Sequence, residues 1–373
     1  MLEATSPAAS SPVERAPLEK IAVEPKLKSS KKLQCDIIRA KSPLRISFTG
    51  GGTDVPAWYE QHPGAVLSST INRYAYVTLY PRQDRQVRIR SLDLGFTVDY
   101  DLDSGPAYDG ALDLAKVAIK RLGIEQGMDI DIRSDAPAGS GLGGSSALTS
   151  AILAALAEFR GVKLTREQLA EMNYIVERID LNIAGGKQDQ YATAYGGFNC
   201  IKFCKDMVAV EPVEVSDSVV NDLEAHILLC YTGTVRAHGN LVARQVEMLQ
   251  GGNVTTIDGM QRLYDMVFEM RDALVDGDLD HFGFLLHESH VNKKRMNPYV
   301  TEGTAIDEMY EAARGAGALG GKLLGAGGGG YVAYYCPTNK QHEVRAALDQ
   351  MGATFSDFAF DKHGVQVWRS ASR

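Results

Sequence analysis

Along this chain the apolar residues change period several times, and each change marks an element. "AVLSSTINRYAYVTLYPR" and "QVRIRSLDLGFTVDY" carry Val, Ile, Tyr and Thr at alternating positions, which predicts strands. "MDIDIRSDA" alternates apolar and polar residues and predicts another strand. "GALDLAKVAIKRLGI" has apolar residues at helical spacing and stops at Gly123. "TREQLAEMNYIVERIDL" predicts a helix with Thr165 as N-cap and Gln168 three residues on, a capping box. "AYGGFNCIKF" reads as a strand closing the first half. In the second half "EAHILLCYTG" predicts a strand and residues 258–294 a long helical region. "AIDEMYEAARGAG" reads as a helix, "GYVAYYC" as a strand, "QHEVRAALDQMG" as a helix and "GVQVWR" as the last strand. Strands and helices in blocks, without regular βαβ alternation, predict an α+β fold.

The first 36 residues break this pattern. They are rich in Ser, Pro, Ala, Glu and Lys, lack aromatic residues and predict a disordered tail. No continuous apolar segment follows the start, which argues against a secretory signal. The full length of 373 residues suits two domains, expected over 37–203 and 204–373. A net charge of -8 argues against a general nucleic-acid partner. Five cysteines, an odd and sparse set, argue against a disulfide framework and point to a reducing cytoplasm. No apolar run approaches the ~18 residues of a membrane span.

A glycine cluster opens the stretch "APAGSGLGGSSALTSAILAAL", Ala136 to Leu156, directly ahead of an apolar helix. Bare backbone lets a ligand approach closely. The first turn of the helix adds unpaired N–H groups and the positive end of its dipole, an anion site that suits phosphates. Gly139, Gly141 and Gly144 also fit G-x-G-x-x-G, which admits a nicotinamide-dependent oxidoreductase. That fold needs a second parallel strand ending in an acidic residue about 20 residues on. The window there is "GVKLTREQLAEM", which is helical. The Walker A pattern fails too: no G-K-[ST] closes this loop, and near Lys322 its upstream glycine is Ala316. Cys200 and Cys204 have no flanking His to complete a zinc site.

Three further clusters accompany the first: "PLRISFTGGGTD" (Pro43–Asp54), "GGKQDQYATAYGG" (Gly185–Gly197) and "GGKLLGAGGGGYVAYY" (Gly320–Tyr335). In this order and separation the set resembles the signature of the galactokinase, homoserine kinase, mevalonate kinase and phosphomevalonate kinase (GHMP) superfamily. The resemblance covers nearly everything after the tail. It is closer still to the branch acting on D-glycero-α-D-manno-heptose 7-phosphate, carried by "GGGTDVPAWYEQHPGAVLSSTINRYAYVTL" and "GKQDQYATAYGG". Gly50-Gly51-Gly52-Thr53-Asp54 stands where galactokinases carry Gly-Glu-His-Thr-Asp, which argues against galactose. The resemblance implies a two-domain α+β GHMP fold with the active site between the domains, using ATP and Mg²⁺. The implied reaction moves the γ-phosphoryl to the anomeric hydroxyl of the heptose 7-phosphate, for nucleotide-heptose synthesis. Kinases of unphosphorylated sugars such as fucose share parts of the pattern. A ligand-binding relative without catalysis is disfavoured by the presence together of Asp189, Arg45 and Glu177.

The resemblance also implies roles. Asp189 matches the catalytic base, and Arg45 the basic residue that keeps it ionised and stabilises developing charge. By position alone these read as a helix-start carboxylate and a strand-surface arginine. Pro137, Gly139, Ser140, Gly141, Leu142, Gly143, Gly144, Ser145 and Ser146 form the ATP loop. Ser145 and Ser146 either cap the helix or reach Mg²⁺. Ungapped matching favours Ser145, with Glu177, twelve residues before Asp189, as the second ligand. Asp180 competes with Glu177, which otherwise reads as an exposed helix charge. Asp54, helped by Thr53, accepts from sugar hydroxyls. Gly327 and Gly328, within Leu324–Gly330, close over phosphates and substrate. A phosphorylated sugar needs a second anion site, for which Arg73, Lys187, Lys293, Lys294 and Arg295 are candidates. Residues 293–295 read equally as a basic helix C-terminus, and His287 and His290 as helix-face residues.

Overall fold

The structure is a computed structural model that describes residues 37–235 and 241–371; the expected tail over 1–36 lies outside the described residues. In chain order the strands are β1 (Ile37–Thr49), β2 (Gly64–Pro81), β3 (Gln86–Ser91), β4 (Phe96–Asp101), β5 (Met128–Ser134), β6 (Phe198–Cys204), β7 (Met207–Pro212), β8 (Ile227–Val235), β9 (Gly320–Leu323), β10 (Gly329–Tyr335), β11 (Thr354–Phe355) and β12 (Gln366–Ser370). The helices are α1 (Pro56–Tyr59), α2 (Asp113–Arg121), α3 (Gly144–Arg160), α4 (Arg166–Tyr174), α5 (Gln188–Tyr195), α6 (Asp217–His226), α7 (Leu241–Gln250), α8 (Val254–Asp276), α9 (Leu279–Met296), α10 (Ile306–Gly315) and α11 (Gln341–Asp349).

Two sheets organise the chain. The first runs β12-β1-β2-β5-β3-β4, with β6 also on β2 and β7 on β6; the second runs β11-β8-β10-β9. In the first sheet β3 and β5 are parallel, while β1–β2, β2–β5 and β2–β6 are antiparallel. The strand after the glycine-rich helix region, β6, therefore pairs antiparallel. This excludes the doubly wound parallel sheet of a dinucleotide-binding fold. The last strand, β12, returns to the first sheet against β1.

Apolar periodicity sets the layers. One core joins the first sheet to α2–α5, through residues such as Val77, Ile130, Ile152 and Leu156. A second lies between that sheet, α8, α9 and the second sheet, through Ile46, Val267, Phe282 and Ala333. A third joins the outer face of the second sheet to α10 and α11. Strand β10 shows the period of two: Tyr331, Ala333 and Tyr335 face the second core, Val332 and Tyr334 the third.

Strand β1 carries a device that matters for the site. Its register against β2 shifts between Pro43 and Leu44. Ile38 and Ala40, ahead of the shift, join the first core; Leu44, Ile46 and Phe48, after it, join the second. The irregularity redirects the side chains, and the alternate residues Arg45 and Ser47 reach α5.

Most expected elements are present, including the capping box at Thr165 and Gln168. The single helical region expected over 258–294 is two helices, because Gly277 adopts φ 75° as a left-handed cap and Asp278 caps the next helix. The helix expected through Leu181 widens to a π-helical turn over Ile175–Asp180. Strand β7 and helices α6 and α7 were not expected from the pattern.

Candidate active site

The glycine stretch forms a loop at the N-terminus of α3. Gly143 is the N-cap at φ 74°, and no side chain caps the helix. A Cβ on Gly143 would stand 3.2 Å from the Arg45 side chain, so glycine serves both the left-handed turn and the close approach. Pro137 and Gly139 are exposed and Ser140 is buried, its hydroxyl without a hydrogen-bond partner. The carbonyl of Leu142 accepts from the Arg45 backbone N–H at 3.0 Å, fixing the loop to β1.

The C-terminal glycine loop locks onto this one. The Tyr331 N–H donates to the Ser140 carbonyl at 2.9 Å. Gly141 has φ +85°, and a Cβ there would meet the Leu324 carbonyl oxygen at 2.6 Å. Gly328 donates to the Val300 carbonyl at 2.7 Å, and a Cβ on Gly327 would strike Val300. The two loops are thus in direct contact, one from each half of the chain.

Arg45 is 3% exposed and sits between loop and helix. Its Nε and Nη2 both reach Asp189 Oδ1, at 2.7 and 2.6 Å, and its Nη1 donates to the Gly141 carbonyl. Asp189 lies in the first turn of α5 and is 21% exposed. With Oδ1 occupied, Oδ2 is left to accept from another donor.

Asp54 lies beneath α5, almost wholly buried. Its carboxylate accepts from the backbone N–H of Gly52 and Gln188 and from the Gln188 side chain, at 2.9, 3.1 and 3.1 Å. Burial raises its pKa, opposed by the two backbone hydrogen bonds, with nearby Asp189 raising it further. Asp54 therefore caps the helix that presents Asp189, and three protein donors already occupy the carboxylate expected to face sugar hydroxyls. Thr53 is fully buried, with its hydroxyl bonded to the backbone of Gly50 and Ala65.

Glu177 is carried by the π turn and is fully buried. Ser145 donates to one carboxylate oxygen; Ser146, at 2.7 Å, and Gln190 donate to the other. Neither serine caps α3. Ser146 is buried, whereas Ser145 is exposed. Arg178 also approaches the Glu177 carboxylate, at 3.5 Å; Ser145 and Glu177 offer the hard oxygen donors that would suit Mg²⁺. Asp180 instead pairs with Arg121.

The cationic candidates are dispersed. Lys187 pairs with Glu171 at 3.1 Å and lies over the Tyr174 ring. Lys294 pairs with Asp307 at 2.8 Å. Arg73 donates to the Asp357 carbonyl and Arg295 to the Asn292 side chain. Lys293 is buried under the C-terminal glycine loop, apart from Lys294 in its partners. His287 and His290 both pack on Tyr310, and burial lowers the His290 pKa to about 3.

Sequence reasoning missed Gln188 and Ser47, which link Asp54 to β1 through a 2.8 Å hydrogen bond, and Lys322. The signal for Lys322 was a lone charge inside "GGKLLG", a stretch otherwise free of polar side chains.

An uncapped helix end behind a glycine loop, a second glycine loop locked to it and an ion-paired carboxylate at their junction are the parts of a phosphotransferase. The profile of the GHMP kinases N terminal domain matches residues 111–197, and that of the GHMP kinases C terminal domain residues 270–357. Over 338 residues the chain is 32% identical to D-glycero-alpha-D-manno-heptose 7-phosphate kinase of Campylobacter jejuni, covering 89% of this chain and 99% of that protein. The solved structure of a D-glycero-D-manno-heptose 1-phosphate kinase from Bacteroides thetaiotaomicron superimposes with TM-score 0.76 at 31% identity, covering 90% of this chain and all of that one. Lactococcus lactis galactokinase, solved with galactose, shares the fold, at TM-score 0.73 and 23% identity over 88% of this chain and 95% of its own. The chain belongs to the GHMP kinase family, as a phosphotransferase with an alcohol group as acceptor. Among the described residues no helix is long and apolar enough to cross a membrane.

Proposed function

We propose that this protein transfers the γ-phosphoryl of ATP to the anomeric hydroxyl of D-glycero-D-manno-heptose 7-phosphate, giving the 1,7-bisphosphate and ADP for nucleotide-heptose synthesis. The observation that carries the chemistry is the Arg45–Asp189 pair at the junction of the two glycine loops. The sugar rests on the likeness to the Campylobacter kinase across nearly its whole length.

Asp189 Oδ2 accepts the anomeric hydroxyl proton as the new C1–O–P bond forms. The bond from the γ-phosphorus to the β–γ bridging oxygen breaks, and ADP leaves with that electron pair. Arg45 holds Asp189 through Oδ1 and offers positive charge beside the transfer. The α3 N-terminus and the loop from Pro137 to Ser146 bind the nucleotide phosphates. Ser145 and Glu177 would hold Mg²⁺, which would supply positive charge to the phosphates. Gly327 and Gly328 close the other side. The first domain, expected over 37–203, also takes β7 and the last strand β12 into its sheet; the site lies at its junction with the second, and the protein works in the cytoplasm, where ATP is supplied.

The test is ADP release with ATP and Mg²⁺ over a panel of heptose 7-phosphate, heptose 1-phosphate, free heptose, fucose and galactose. The highest kcat/KM is expected for heptose 7-phosphate, with the product phosphorylated at C1 by ³¹P NMR. Better turnover of fucose, or a product still free at C1, overturns the reading.

A further inference from the structure

Two lysines from the C-terminal half, one of them among the expected anion-site candidates, take no part in the transfer described above. Lys293, on α9, and Lys322, on β9, are both buried. Lys293 Nζ donates to the Leu323 carbonyl at 2.9 Å and to the Gly325 carbonyl. Lys322 Nζ donates to the Ser47 carbonyl at 2.8 Å. Among the described residues neither ammonium has a carboxylate within ion-pair distance. Each feels the other or Arg45 as a like charge. An ammonium has three N–H donors. Backbone carbonyls account for two on Lys293 and one on Lys322.

Buried cations without an anion are costly, and proteins retain them for a reason. Their neighbours give the reason here. Lys293 holds Gly325, where a Cβ would stand only 2.5 Å from the Gly141 Cα, so the lysine stands behind the contact of the two glycine loops. Lys322 holds Ser47, whose hydroxyl donates to Gln188, the residue before Asp189. We propose that Lys293 and Lys322 complete, with Arg45, a cationic seat for a phosphoryl group held at the meeting of the two glycine loops. This deepens the kinase reading and rests on it.

The surroundings bear on the charge of Lys293. Burial, and then Arg45 on β1, lower the Lys293 pKa to about 7. Burial lowers the Lys322 pKa well below its ordinary value too, with Lys293 and Arg45 as like charges and Asp54 and Asp189 opposing them, and His290 on α9 is held neutral. These surroundings disfavour the ammonium of Lys293, and an arriving phosphoryl group favours it, so binding is expected to draw in a proton.

The experiment measures protons taken up on binding at pH 8, by calorimetry in buffers of different ionisation enthalpy, with Mg²⁺ present. The probes are the non-hydrolysable analogue AMP-PNP, ADP and heptose 7-phosphate. Uptake approaching one proton with AMP-PNP and not with ADP places the seat at the γ-phosphoryl. Uptake with heptose 7-phosphate alone places it at the sugar's phosphate. Lys293→Met should lower that uptake, and Lys322→Met should weaken the same probe at least tenfold while ADP affinity stays within about threefold. No uptake by the wild-type protein with any probe, equal uptake with ADP and AMP-PNP, or the same uptake in Lys293→Met overturns the proposal; the wild-type arms do not depend on whether the variants fold. Proton uptake with AMP-PNP in a protein that fails to phosphorylate heptose 7-phosphate would leave the seat standing and remove the substrate.

Discussion

Asp189→Asn isolates the proposed base with the smallest change of shape. Arg45 directs two N–H groups at one oxygen, Oδ1, at 2.7 and 2.6 Å. In the variant the amide oxygen turns to those donors, because an amide N–H₂ there would oppose them. The amide nitrogen then occupies the place of Oδ2, so an acceptor becomes a donor where the sugar hydroxyl must lose its proton. The loss of general-base assistance is worth roughly 10²–10⁴ in rate, or at least about 2.7 kcal/mol of barrier. Two hydrogen bonds also fall from the charged range of about 1.5–3 kcal/mol to the neutral range of about 0.5–1.5 kcal/mol. Arg45 is buried, so part of that difference should appear as a lower melting temperature. The assay is ADP release under saturating substrates, with AMP-PNP binding and thermal unfolding measured in parallel. Turnover should fall at least about 10²-fold while analogue affinity changes by less than about threefold. Turnover within tenfold of wild type in a folded variant would remove Asp189 from the proton transfer.

Three further outcomes follow from other parts of the site. Glu177→Gln and Ser145→Ala should each raise the Mg²⁺ concentration needed for half-maximal activity, with partial rescue by added Mg²⁺; an unchanged requirement in both makes them structural partners of α3 only. Gly141→Ala, at φ +85° and with the Leu324 oxygen 2.6 Å from the new Cβ, should destabilise the fold by at least about 1 kcal/mol in urea titration and weaken nucleotide binding, whereas neutral behaviour would mean that the loops separate readily. Lys293 has a folded pKa of about 7 against an ordinary 10.5, so the unfolded chain binds the extra proton between those values and this group makes stability rise with pH there. Its contribution is present above the unfolded pKa and lost as pH falls through about 7; Lys293→Met should flatten that slope of unfolding free energy, and an unaltered slope would show that Lys293 keeps its charge.

Local pattern carried the fold far. The Thr165 cap, the period of β10 and the glycine loop ahead of α3 are all written in a few adjacent residues, and each is observed. What escaped depends on contacts distant in sequence. The shift at Pro43–Leu44 is defined only against β2, yet it lets Arg45 reach Asp189, 144 residues away. The π turn that carries Glu177 keeps helical apolar spacing, so periodicity alone reads it as ordinary helix. Thr53 and Asp54 look available in the linear motif, but their polar atoms bond the backbone around them. Charge was misleading for the same reason: Lys187 and Lys294 find carboxylates on other segments, while Lys293 and Lys322 find none.

This sorting of cations bears on how a phosphorylated sugar is recognised. Lys187 and Lys294 are already neutralised by Glu171 and Asp307. A sugar phosphate would have to displace a carboxylate from either, exchanging one anion for another with little net electrostatic gain. Lys293 and Lys322 face no such competition, but they lie buried beside Arg45, where the transfer itself is placed. If they serve the transferred phosphoryl, the sugar's own phosphate must draw on exposed groups, where screening makes each contact weak. The preference for heptose 7-phosphate over free heptose should then be salt-sensitive. If the buried pair serves the sugar phosphate, that preference should persist as salt rises. Comparing kcat/KM for the two sugars at low and high salt, with ATP saturating, separates these arrangements, and a preference absent at both ionic strengths would refute any phosphate-recognising site in this chain.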